Sequence, residues 1–290
     1  MDYFLHIIII INIYIILTVS TNLLVGMTNL LSLGQAAFYG IGAYLTVFAL
    51  QTLHLPLIPA LIFVMVVTAA TSLIITYPSL RLKDDYFVLS TLCFQLIVFT
   101  ALYNWTSVTR GPYGISGIPA PKIFGLLPIS GMIPFLAFSS IMSGMVIFIF
   151  YKLVNSPFGR VLKGLRDDDL AVTSLGRNVT AHRVFVFVIS SGFIAAAGMI
   201  YATYITYIDP TSFNLDEAIF ILCAVLIGGT GNIKGPVAGA IFVVVLPELL
   251  RFVGMPDAIA ANMRQIIYGL SLIVLMRYRP QGIAGNYWVK

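Results

Sequence analysis

The sequence predicts an all-α fold: a polytopic transmembrane helix bundle of eight to ten spans, with broken helices and a short charged helix at the cytoplasmic surface. Three observations predict it. Hydrophobic residues make up 59% of the 290-residue chain and charged residues 9%, against about 25% charged in ordinary soluble domains, so a water-facing exterior could not be covered. Apolar windows of about 20 residues, the length a helix needs to cross the hydrocarbon core, recur along the chain. The apolar–polar alternation of a membrane barrel is absent, which leaves helices to satisfy the backbone polar groups in lipid.

The windows fall at 4–25, 35–53, 57–78, 86–103, 131–151, 184–207, 217–230, 236–252 and 263–278. The first, in MDYFLHIIIIINIYIILTVS, lacks the basic start and small-residue cleavage site of a signal peptide and reads as a retained span. Between the fourth and fifth windows, Asn104–Ser130 is rich in Gly and Pro and lacks helix periodicity, so tight turns are expected there. It is a connector, or a lip that meets a delivery protein. No stretch outside the windows is long enough for a soluble unit, and 1–290 reads as a single domain.

Orientation follows from the basic residues. With 152–183 in the cytoplasm and alternating spans, Arg81, Lys83, Lys152, Arg160, Lys163, Arg166, Arg177, Arg183, Lys234, Arg277, Arg279 and Lys290 lie inside. Arg110, Lys122, Arg251 and Arg264 lie outside. This satisfies the positive-inside bias and puts the N-terminus outside and the C-terminus in the cytoplasm.

Eight of the charged side chains crowd into PFGRVLKGLRDDDLAVTSLGRNVTAHR, residues 157–183. At about 2.5–3.5 kcal/mol for each charge at the bilayer centre, this stretch lies outside the lipid. Its punctuation is helical. Ser156-Pro157 reads as N-cap and first helical residue, and Val161, Leu162 and Leu165 share one face, with Arg160, Lys163 and Arg166 elsewhere. The acidic run Asp167–Asp169 suits the start of a second short helix, Leu170 to Leu175, stopped by Gly176. That helix presents Leu170, Ala171, Val172 and Leu175, and Asn178 with Thr180 can cap the next span. Such an elbow could rest on lipid headgroups. The small residues Ala171 and Gly176 favour insertion into a groove of another protein.

Gly26-Met-Thr-Asn-Leu-Leu-Ser-Leu-Gly34 can be laid over Gly228-Gly-Thr-Gly-Asn-Ile-Lys-Gly-Pro236, with Gly, Thr and an aliphatic residue at matching offsets. Gly-interrupted apolar segments at corresponding places point to a transport pathway, because unwound backbone must meet water, protein or substrate. Thr28, Asn29, Ser32, Gln35, Thr230, Gly231 and Asn232 are the candidate pathway residues. Gly231, Gly235 and Gly239 also repeat at a spacing that suits close helix packing.

Several chemistries find no support. GxxxxGK[ST] has no match, so any ATP must be bound by partners. His6, His54 and His182 are isolated, which leaves no metal site, and no catalytic Ser-His-Asp cluster is present. Cys93 and Cys223 lie in apolar windows and read as reduced. The net charge of +5 is spread over short loops and implies no nucleic acid. Glu217, Glu248, Arg251 and Arg264 fall near span ends, and this scarcity of intramembrane charge argues for an external energy source.

The stretch from Asp169 to Gly176 resembles the cytoplasmic loop of ABC-importer permeases, with Ala171 and Gly176 at matching positions; Leu170 stands where an acidic residue is usual, with Asp169 just ahead. Gly34, Gln35, Ala36, Phe38, Gly40, Gly42, Ala43 and Tyr44 in SLGQAAFYGIGAY resemble an early motif of the LivM-type permeases of high-affinity branched-chain amino acid importers. LRLKDDYFVLSTL, GISGIP, FGRVLKGLRDDDLAVTSLG and GGTGNIKGPVAGA follow in order; Asn29 stands where that family usually has Gly. The resemblance implies a permease subunit for branched-chain or other small apolar amino acids in a bacterial inner membrane. It also implies a second permease as heterodimer partner, two cytoplasmic ATP-binding subunits that hold ATP and Mg, and a periplasmic substrate-binding protein. Arg160, Lys163, Asp169, Leu170, Ala171, Val172, Leu175 and Gly176 are then the coupling residues. The same machine carrying urea or short amides, and a self-sufficient channel or secondary carrier, are the alternatives.

Overall fold

A computed structural model describes residues 2–82, 85–119, 122–123, 127–128, 131–252, 257–279 and 281–285, the side chains of 122–123, 127–128, 250–252, 257–262, 264 and 276 excepted. Each of the nine apolar windows falls on a helix. These are α1 (Asp2–Thr28), α2 (Gln35–Val47, continued by a π turn Phe48–Thr52), α3 (Leu57–Ser79), α4 (Asp85–Asn104), α6 (Met132–Asn155), α9 (Val179–Ile205), α10 (Leu215–Gly228), α11 (Lys234–Phe252) and α12 (Asp257–Tyr278). Three short helices complete the set: α5 (Thr106–Thr109), α7 (Pro157–Asp167) and α8 (Asp169–Ser174). Among the described residues, five helices, α1, α3, α4, α6 and α9, are long and apolar enough to cross a membrane. Lys83 and Lys290, and the side chains of Lys122, Arg251 and Arg264, which entered the topology argument, lie outside the described residues.

α1 is the central post. It is buried almost continuously from Ile13 to Thr28 and packs against α6, α9, α10 and α11. Its partners fix the strand-like order of the bundle. Asn22, Thr18 and Tyr3 bond in turn to Asn232, Pro236 and Glu248, so α11 runs antiparallel to it. Tyr14 bonds to Glu217, and Gly26 lies against Gly231, so α10 runs parallel to it.

α3 shows how a span is built when its solvent is lipid. Ala60, Val64, Thr68, Ser72 and Thr76 recur every fourth residue and are buried, while Ile62, Val66 and Ile74 on the other side are more than half exposed. The polar residues turn inward because hydroxyls return their bonds to the preceding turn, as Thr76 does to the Ser72 carbonyl at 2.6 Å. Large aliphatic groups then meet the lipid. Close approach of α2 to α9 rests on glycine: a Cβ at Gly42 would stand 2.5 Å from the Ala195 Cα.

The two ends of the bundle differ. One carries α7 and α8 and is called here the elbow end. The other, the lip end, carries the 105–119 segment. The expected turn-rich loop does contain tight turns, with Arg110 and Gly114 at positive φ. It also contains α5 and a strand, β1 (Ile115–Ser116), which the sequence reading did not foresee. Two further strands, β2 (Lys122–Ile123) and β3 (Leu127–Pro128), form a small hairpin. β1 pairs antiparallel with β4 (Tyr207–Ile208), and the Gly117 amide donates to the Thr206 carbonyl at 3.1 Å. The lip is thereby sewn to the α9–α10 connector, a partner about 90 residues away that local periodicity cannot reveal.

That connector corrects the placing of Glu217 near a span end. β4 leaves the lip, and the chain then dives inward. The Phe213 carbonyl accepts from Gln95 at 2.8 Å, ten residues into the 20-residue α4. α10 therefore starts deep in the bundle, and its 14 residues give a helix of only about 21 Å. Glu217 sits in the first turn of α10 yet beside the middle of α1.

Candidate functional site

The elbow folds as its punctuation predicts. The Ser156 hydroxyl accepts from the Gly159 amide at 3.2 Å and opens α7 behind Pro157. Asp168 is the member of the acidic run that caps: one carboxylate oxygen accepts from the Leu170 and Ala171 amides at 2.8 and 3.3 Å. α8 ends where Gly176 takes φ +73°. The Asn178 side chain accepts from the Ala181 amide at 3.0 Å to start α9, with Thr180 already inside that helix. His182 stacks on Phe158 with 5.3 Å between ring centroids.

Of the candidate coupling residues, Leu170 and Leu175 are 78% and 79% exposed, and Arg160, Ala171 and Gly176 are exposed beside them. Lys163 and Asp169 are half-buried; Asp169 pairs with Arg183 at 2.6 Å, which ties α8 to α9. Val172 does not belong to the outward face. It is buried against α7, where a Cβ on Gly164 would come within 3.0 Å of it. In a six-residue helix one side chain must anchor, and Val172 is that anchor.

The elbow reaches the bundle through Arg166, whose guanidinium approaches the Gly26 carbonyl at 3.5 Å. That oxygen lies in the last turn of α1, where the helix dipole is negative and a cation is favoured. A cleft of about 540 Å³ joins the same parts, lined by Asn29 and Leu31, the α3–α4 turn, and Leu165 to Asp169.

The two Gly-interrupted segments are both helix junctions, and the fold brings them together. α1 ends at Thr28; Asn29 takes φ +53°, and the Leu30 amide returns to the Leu24 carbonyl at 3.3 Å. A single left-handed residue ends the helix as in other αL caps, and Asn is one of the few non-glycine residues that adopts this conformation readily. The second junction runs between α10 and α11 with Gly229 and Gly231 at positive φ. A Cβ at Gly26 would lie 2.9 Å from the Gly231 nitrogen, and Asn22 donates to the Asn232 carbonyl at 2.9 Å.

The pathway candidates divide accordingly. Thr28 and Ser32 are fully buried and bond locally, to the Leu24 carbonyl and the Gly34 amide. Gln35 is 1% exposed with neither amide atom paired, and the Asn29 side-chain oxygen is likewise buried and unpaired. Thr230 is buried beside Gly231. The Asn232 side chain accepts from the Gly235 amide at 2.8 Å and donates to the Ala284 carbonyl.

Sequence reasoning missed the C-terminal turn at 281–285. Ile283 and Ala284 donate to the Ile227 and Gly228 carbonyls at 2.9 Å each. The carbonyls freed by the second break thus meet protein, and the close approach needs Gly282 and Gly285 against Gly229. The GIAG sequence was the available signal. Asn22, a lone polar residue in an apolar helix, was the other.

An all-α bundle with lipid-facing aliphatic groups, polar groups turned inward, two junctions in contact and a charged elbow defines a class: a multi-pass membrane permease. Residues 3–276 match the family model described as branched-chain amino acid transport system / permease component, and the chain belongs to that family. It is 32% identical to the high-affinity branched-chain amino acid transport system permease protein LivM of Salmonella typhimurium, and equally to that of Escherichia coli. Each alignment covers 93% of this chain and 67% of the relative. The probable LivM of Methanocaldococcus jannaschii is 28% identical, with 78% of this chain and 68% of the relative aligned. No solved structure matches the chain.

Proposed function

We propose that the chain is the membrane-spanning subunit of an ATP-driven importer that passes branched-chain or other small apolar amino acids into the cytoplasm. In this reading 1–290 acts as one permease domain in a plasma membrane, N-terminus outside and C-terminus in the cytoplasm. A second permease stands beside it, two ATP-hydrolysing subunits holding ATP and Mg bind at the elbow, and a binding protein delivers cargo at the lip.

The observation that carries the reading is the approach of Arg166 to the Gly26 carbonyl. A pull on α7 acts directly on the last turn of α1, and that turn touches Gly231 of the second junction. Leu170, Ala171, Leu175 and Gly176 present the face for the groove of a partner, with Arg160, Lys163 and Asp169 around it. Thr28, Asn29, Ser32, Gln35, Thr230, Gly231 and Asn232 form the moving ends of the pathway.

Leu170→Asp and Leu175→Asp test this, since neither side chain supports the fold. The expected result is a subunit that inserts normally, loses its ATPase partners in mild detergent and supports no leucine uptake. Retained partners and uptake would sink the docking role. Uptake of labelled leucine against labelled urea by the complete transporter separates the two cargo classes, and transport by this chain alone without ATP would favour a self-sufficient carrier.

A further inference from the structure

A cavity of about 600 Å³ opens between α1, α10, α12 and the connector, with Tyr14, Ser212, Glu217, Phe220, Cys223 and Tyr268 on its walls. Its depth follows from the helices that frame it. Tyr14 lies 12 residues from the start and 14 from the end of α1 (Asp2–Thr28), and Tyr268 lies 11 and 10 from the ends of α12 (Asp257–Tyr278). The cavity is therefore at half height in the bundle, where transporters place substrate. α10 leads from it straight to the second junction.

Its walls differ in chemistry. On one side the Glu217 carboxylate accepts from the Tyr14 hydroxyl at 2.8 Å, and Asp216, Ser212 and Thr211 line the same cavity, the last two with their hydroxyls donating to Asp209. On the other side Phe220 and Tyr268 meet edge to face with centroids 4.7 Å apart, and Ile219 extends the apolar surface.

We propose that this cavity is the mid-membrane resting site of a zwitterionic amino acid with an aliphatic side chain. Its ammonium group faces Glu217 and Asp216, and its side chain lies against Phe220 and Tyr268. The volume holds one such molecule with several waters, each needing about 30 Å³. A solute without an ammonium group has no donor of that kind to offer the Glu217 and Asp216 oxygens. This inference rests on the amino-acid cargo proposed above and adds where the cargo pauses.

Cys223 supplies the probe. In a Cys93→Ser background, the reconstituted transporter is treated with a small methanethiosulfonate reagent, with leucine or succinate present. Leucine at ten times its dissociation constant slows labelling of Cys223 about tenfold by occupancy, and succinate leaves the rate unchanged. Glu217→Gln and Phe220→Ala each remove most of the protection. Labelling unaffected by leucine in a complex that imports leucine overturns the site alone, as does equal protection by succinate. A complex that imports no leucine removes the cargo reading as well.

Discussion

The Asn22 side-chain amide donates to the Asn232 carbonyl oxygen across 2.9 Å, pinning α1 to the α10–α11 junction at the elbow end. One helical turn further along, Gly26 lies against Gly231, and Arg166 of the elbow approaches the Gly26 carbonyl. Segments 140 and 210 residues further along the chain thus meet α1 within about one helical turn.

Replacing Asn22 by Leu keeps the branched shape of the side chain and removes the donor. The Asn232 carbonyl then loses a bond in a buried place, at a cost of about 1–3 kcal/mol. The low end is expected, because the Asn22 side-chain oxygen is itself buried without a partner and its removal offsets part of the loss. A lowered thermal midpoint of the detergent-purified subunit would register this; an unchanged midpoint would show that the bond contributes nothing net.

Gly239→Ala is expected to destabilise the α10–α11 pair by about 1–3 kcal/mol or more through overpacking. Its Cβ would collide with the Ala224 carbonyl and stand 3.1 Å from the Gly228 Cα. Gly144→Ala on α6 is the control, since a Cβ there meets nothing within 4 Å, and alanine gains roughly 0.8–1 kcal/mol in helix propensity. Thermal melts of the two variants should move in opposite directions.

Asp168→Ala removes the acceptor for two amides at the start of α8, worth about 0.5–2 kcal/mol. Hydrogen exchange across 169–174 should accelerate while α7 and α9 stay protected, and partner binding at the elbow should weaken. Asp168→Asn, which still caps, should restore both. Faster exchange throughout α9 would instead mean that the elbow and the span unfold together.

Asp209 gives a pH dependence to the lip. Burial alone would raise its carboxyl, but bonds from the Ser212 and Thr211 hydroxyls and the Ser212 amide hold it below the ordinary carboxylate value. Its contribution is therefore fully present above the unfolded value of about 3.9 and fades as pH falls through the lower folded value. Exchange at 207–213, corrected for intrinsic rate, should rise on acidification below about pH 4. In Asp209→Asn that rise should vanish.

Much of this molecule is legible in one dimension. Apolar windows locate helices because lipid demands about 20 apolar residues in a row. Ser156-Pro157, Asp168, Gly176 and Asn178 locate the elbow because helix ends have local chemical requirements. The overlay of Gly26–Gly34 on Gly228–Pro236 located two junctions for the same reason. Other features were not legible. Val172 turns inward because of its contact with Gly164, which depends on how α8 folds back on α7. Ile283 and Ala284 close the second junction from a segment that has no periodicity of its own.

Glu217 draws the line most clearly. The sequence by itself determined that it begins a helix, since the apolar window 217–230 opens there; in the structure Asn214 caps that helix and accepts from the Glu217 amide at 3.0 Å. Only the tertiary structure decided its depth. Pairing of β1 with β4 and the Gln95 bond to the Phe213 carbonyl draw the connector inward, so a residue at a helix end comes to rest beside the middle of α1. Local signals report where backbone hydrogen bonds begin and stop, whereas height in a bundle is set by contacts between segments far apart in the chain.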